Sequence, residues 1–121
     1  MLQLNEIKKI AYSARKKFET DKIPINKLKK LYLAYNKMPN IKKFLLQAKK
    51  LFPKLNCGLA TVYLKYMLGS GKIVNGKYKN NNHTFLLLAN KQNKLIIDIT
   101  ADQYEGPKVY VGRIKKPWSL L

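Results

Sequence analysis

"LNCGLATVYLKYML", residues 55–68, decides how the rest of the chain is read. Asn56 offers a helix cap, and Leu59, Ala60, Val62, Tyr63, Leu64, Tyr66 and Met67 leave almost no polar face. A helix that is apolar nearly all round is a central, buried one. The stretch therefore predicts a core helix over about Cys57–Leu68, closed by "GSG" at 69–71. It also holds the only cysteine of the chain, in the first turn.

Upstream, Leu4, Ile7, Ala11, Ala14 and Phe18 recur at spacings of three and four, one apolar stripe on an amphipathic helix. The segment from Thr20 to Pro24 breaks it. Leu28, Leu31, Tyr32 and Tyr35 make a second, shorter stripe. Pro39 stops continuation, and Asn40 is placed to cap a third helix carrying Ile41, Phe44, Leu45 and Ala48, which Pro53 ends. Lysines lie on the outer faces.

Downstream the period changes. "KIVNGKY" at 72–78 reads as a strand or as a tight Asn-Gly hairpin. "HTFLLLA" at 83–89 and "KLIIDIT" at 94–100 are β-like runs joined by the polar turn "NKQN". "PKVYVG" at 107–112 is a further strand, and Pro107 points to an edge or a strand entry. Helices first and an antiparallel sheet afterwards define the α+β class, with the cysteine-bearing helix central on a small antiparallel sheet. There is no internal repeat or low-complexity segment, and 121 residues suit a single domain, 1–121.

The formal charge is +19, and lysine supplies nearly all of it, since Arg15 and Arg113 are the only arginines. Arginine is the usual side chain for bidentate base and phosphate contacts. Lysines scattered over the first fifty positions and the C-terminus read as solvated surface with affinity for an acidic partner, in preference to nucleic acid. An apolar fraction of 46% argues against disorder. No apolar run approaches the roughly 20 residues that span a bilayer. The first residues lack an apolar h-region and a cleavage site, so no secretory signal is expected. A single cysteine cannot form an internal disulfide, which favours a reducing compartment. The expected location is cytoplasmic, or inside a target cell after delivery as an effector.

Cys57 is the candidate nucleophile. A free thiol has a pKa of about 8.5, and a helix N-terminus lowers it through unpaired N–H groups and the helix dipole. Gly58 has no side chain to block a substrate, and the Cys57 backbone N–H can help hold an oxyanion. His83, the only histidine, opens an apolar strand and can take the thiol proton. Asp98 sits among isoleucines near the end of the next strand, where a buried carboxylate demands a partner; the His83 ring would supply one. Which face each occupies depends on strand register. Asp102 is a competing acid that can cap the turn instead. Gln103, in the same turn, and Asn56 are candidate oxyanion or substrate contacts.

A lone cysteine in an apolar helix is ordinarily a buried thiol, and a lone histidine at a strand start is ordinarily structural. The cap before Cys57, the order Cys, His, Asp, and the acid in an apolar strand favour chemistry instead. One Cys and one His leave too few ligands for zinc. "GSGK" at 69–72 lacks the spacing of a phosphate loop, and no serine elbow is present, so neither metal nor cofactor is expected.

These residues resemble the papain-like superfamily of cysteine enzymes, and more closely its small bacterial branches, the transglutaminase-core proteins and the papain-fold toxins or deamidases. The likeness rests on "NCGLATVYL", "HTFLLL" and "IIDITADQY" followed by "GPKVYVG", and covers about residues 55–112. It implies a minimal papain-like fold, with 1–54 a helical N-terminal part and 55–114 the catalytic core. It also implies a Cys57, His83, Asp98 triad acting on peptide, isopeptide or glutamine amides through a thioester. Papain-type proteases carry an oxyanion glutamine six residues before the cysteine; here that position is Leu51. Gln103 or backbone groups would substitute. The alternative expectation is a lysine-rich binding module for nucleic acid or an acidic protein, on a non-catalytic version of that fold. It predicts salt-sensitive binding indifferent to Cys57.

Overall fold

The computed structural model describes residues 3–89 and 94–121. The turn expected at 90–93 lies outside the described residues. Four helices come first: α1 (Leu4–Glu19), α2 (Ile25–Tyr35), α3 (Ile41–Leu51) and α4 (Cys57–Leu68). The strands follow: β1 (Lys72–Tyr78), β2 (Asn81–Ala89), β3 (Lys94–Asp98), β4 (Tyr110–Arg113) and β5 (Trp118–Ser119), with a 3-10 turn at Ala101–Tyr104. This is the α+β order the sequence predicts.

The reason α4 is apolar nearly all round is that it is enclosed from two sides, which leaves only Lys65 and Tyr66 exposed. One side packs on α1 and the sheet through Ala60, Tyr63 and Leu64 against Ile7, Ala11, Leu86 and Ile97. The other packs on α2 and α3 through Leu59 and Val62 against Tyr32, Ile41 and Leu45. Each such buried leucine contributes roughly 2 kcal/mol. Gly69 closes the helix in the left-handed region, at φ 72°.

Two capping expectations are corrected. Asn40 and Asn56 occupy N-cap positions, but neither side chain caps its helix. Asn40 is left-handed, at φ 57°. The Asn56 amide donates instead to the carbonyls of Ala48 (2.8 Å) and Lys54 (2.8 Å), tying the end of α3 to the start of α4.

"KIVNGKY" is one strand and not a hairpin. Gly76 lies opposite His83 within it, and a Cβ there would run into the Ser119 carbonyl oxygen. The missing side chain lets β5 lie close alongside β1, so it serves pairing and not turning. The sheet is antiparallel throughout, in the order β4-β3-β2-β1-β5. β4 takes the edge that Pro107 suggests, although pairing starts only at Tyr110. Tyr110 and Trp118, on strands at opposite edges, stack with centroids 4.3 Å apart, so the sheet curls until its edges meet. Its concave face holds Tyr78, Phe85, Ile96 and Trp118, and its other face receives α1 and α4.

Candidate active site

Register settles the face on which His83 and Asp98 lie. Leu86 pairs with Ile97 and Leu87 with Ile96. His83 and Asp98 therefore share the concave face with Phe85 and Ile96, because side chains alternate along a strand. β2–β3 pairing is recorded only from Leu86 outward, and β3 ends at Asp98. The 3-10 turn departs just beyond, which opens the sheet beside His83.

The His83 Nε2–H donates to Asp98 Oδ2 at 2.7 Å, with both side chains essentially excluded from water. A carboxylate only accepts, so this bond fixes the proton on Nε2 and leaves Nδ1 facing the remaining partners. Nδ1 faces the Gln103 amide, whose Nε2 lies 3.3 Å away, and the ring also acts on the Cys57 thiol, favouring its ionised form. Tyr104 stands edge-on to the ring at 5.5 Å and donates its hydroxyl to the Asn82 carbonyl (3.1 Å).

Asp98 is held on every side. Its Oδ1 accepts the Thr100 backbone N–H (2.9 Å), and its Oδ2 accepts the Trp118 indole N–H (2.8 Å) as well as the histidine. Such bonds stabilise the ionised carboxylate in a place where an unpartnered one would be costly. Trp118 comes from β5, an element the sequence reading did not anticipate, and no local pattern marks it.

The charges follow from this geometry. Burial opposes a charged His83 ring, but hydrogen bonds to Asp98 and Cys57, together with their negative charge, outweigh it and hold the pKa at about 9. Burial likewise pushes the Cys57 thiol up. Hydrogen bonds from His83 and Thr84 and the charge of the ring overcome that, and the net shift is downward. The two shifts favour a thiolate beside an imidazolium.

Asp102 neither caps the turn nor competes for the histidine. It takes a bidentate pair from Arg15, Nη1 to Oδ1 at 2.7 Å and Nη2 to Oδ2 at 2.8 Å. Nη1 also donates to the Ile99 carbonyl (2.8 Å), and the guanidinium lies over the Phe52 ring at 4.6 Å. Arg15, only 6% exposed, thereby anchors to α1 the segment that presents Gln103. Asn56, the other expected substrate contact, is buried with its amide donors committed to Ala48 and Lys54. Its side chain offers no free donor for an oxyanion.

An open groove of about 600 Å³ runs beside Cys57. Tyr32, Tyr35, Phe44, Asn75 and Thr84 line it beside Cys57, and among the described residues no Lys, Arg, Asp or Glu does. Gly58 packs directly on Tyr32, where a Cβ would come within 3.2 Å of the ring. Among the described residues no cluster of three or more His, Cys, Asp or Glu side chains is placed to hold a metal ion. Nor, among them, is any helix long and apolar enough to cross a membrane. No protein-family model, curated protein or solved structure matches the chain.

Proposed function

We propose that this protein is a cysteine-dependent amide hydrolase or acyltransferase on a minimal papain-like fold. The observation that carries the reading is a single buried histidine bonded to a fully hydrogen-bonded carboxylate, with the thiol that opens α4 made more acidic by the same ring. In this mechanism His83 draws the Cys57 proton to Nδ1, and the thiolate attacks a carbonyl carbon lying in the open groove. Negative charge gathers on the carbonyl oxygen, where the Cys57 backbone N–H and, once released from His83, the Gln103 amide would stabilise it. His83 then returns its proton to the leaving amine, and a thioester remains on Cys57. Water resolves it in a protease or deamidase, and an amine resolves it in a transglutaminase. Asp98 fixes the ring's tautomer and stabilises its charged form.

The substrate of this reading is a protein or peptide amide. The uncharged groove suits a neutral side chain next to the reacting carbonyl, and the surface charge of +19 suits an acidic protein around it. The deciding experiment is the rate of Cys57 alkylation by iodoacetamide against pH, in wild type and in His83→Ala. Fast reaction at pH 6–7 that His83→Ala abolishes is the expected result. A thiol that reacts only on unfolding removes the catalytic reading and leaves the lysine surface as a binding module.

A further inference from the structure

A second cavity, of about 430 Å³, lies among the four helices. It is bounded by the end of α1, the α1–α2 connection, and parts of α2, α3 and the start of α4. Phe18, Ile23, Leu28, Leu45, Phe52 and Leu59 give it apolar walls. Cys57, His83 and Gln103 are not among its lining residues, so nothing in the proposed chemistry uses it. Its size falls within the roughly 300–1,000 Å³ typical of small-molecule sites.

The polar residues lining it are unequal in sign. Lys17, Lys22 and Lys49 line it, and Asp21 is the sole acid. Asp21 and Lys49 are each about half exposed, and the carboxylate is paired with the Lys49 ammonium at 2.6 Å. This pair joins the α1–α2 connection to α3. The charge left over is positive, contributed by Lys17 and Lys22. An apolar chamber with a cationic rim matches one class of molecule, a chain that buries its hydrocarbon and leaves a single anion at the surface. A neutral hydrocarbon would ignore the lysines, and a cation would be repelled by them.

We infer that this cavity binds an amphiphile with an aliphatic body and one anionic head, such as a medium-chain fatty carboxylate. The body lies against Phe18, Leu28, Leu45 and Leu59, and the head pairs with Lys17 and Lys22 and competes with Asp21 for Lys49. The inference does not depend on the catalytic reading.

The test is calorimetric titration of the full chain with dodecanoate below its micellar concentration, beside 1-dodecanol and dodecyltrimethylammonium. Saturable binding of one dodecanoate is expected, with both controls weaker by about tenfold or more. The Lys17→Glu, Lys22→Glu double variant should bind about tenfold less tightly, and Leu45→Trp, which fills the chamber, should not bind. Photolysis of a diazirine-tailed dodecanoate on the wild type gives a reading that needs no variant to fold. Adducts confined to peptides containing Phe18, Leu45 or Phe52 support the site. Non-saturating uptake with adducts scattered over the lysine surface overturns it, as does equal binding of 1-dodecanol.

Discussion

His83 has two ring nitrogens with opposite duties, and the pH behaviour of the protein follows from them. Nε2 is bound to Asp98, while Nδ1 faces the Gln103 amide and, in the proposed mechanism, takes the thiol proton. Activity should rise with pH as Cys57 ionises below the ordinary thiol range, hold, and fall as His83 loses its proton near 9. A pH profile of kcat/KM checks both limbs, and the alkylation rate, which needs only the thiolate, checks the rising one. Stability carries the same signature. The raised pKa of His83 contributes stability that is complete below about 6.5 and is lost as pH rises to about 9. The lowered pKa of Cys57 works the other way, contributing above the ordinary thiol range and losing its share as pH falls. The two slopes offset each other between these limits in the wild type. Cys57→Ala keeps only the histidine limb, reduced to the part that Asp98 supplies, so urea denaturation should show it losing stability as pH rises above 6.5, over a window that ends below 9. Trp118→Phe keeps a ring against Tyr110 but removes the N–H bound to Asp98. It should cost about 1–2 kcal/mol in the same assay.

Among the elements, α1 has a role that its amphipathic stripe does not announce. Its apolar residues bury against α4 and the sheet, while Arg15 on the same helix reaches the turn that follows β3. The contact joins residues 87 positions apart in sequence. In a chain rich in lysine, the buried position carries one of the two arginines, whose planar fork can satisfy both carboxylate oxygens at once. Arg15→Lys retains the charge but not the fork, and should cost about 1–3 kcal/mol in chemical denaturation. It should also loosen the Gln103 N–H from His83 Nδ1, a bond that only the neutral ring accepts, and so raise the ring's pKa as read by NMR titration. A role confined to stability would leave that titration unchanged.

For the whole molecule, curling of the sheet is what completes the concave site. β5 contributes only two residues, yet it brings Trp118 over Asp98 and against Tyr78 and Tyr110. That closure needs a glycine at position 76, where the Ser119 backbone approaches β1. Gly76→Ala should displace β5 and cost about 1–3 kcal/mol, by analogy with overpacked cores. Because Trp118 is the only tryptophan, its fluorescence should shift toward the red in that variant and thermal unfolding should come earlier.

The sequence by itself determined the elements: the three amphipathic stripes, the nearly all-apolar α4 with Cys57 at its start, and the β-like runs carrying His83 and Asp98. Periodicity and caps are local, so they can be read from neighbours in the chain. Even there the locally obvious reading misled where a side chain had a distant use, as when Asn56 bonded Ala48 and Lys54 in place of its own helix. Only the tertiary structure decided the register that puts His83 and Asp98 on one face, the assignment of Asp102 to Arg15, and the arrival of Trp118. Each depends on which remote group satisfies a buried charge, and desolvation imposes that requirement only once the chain has folded.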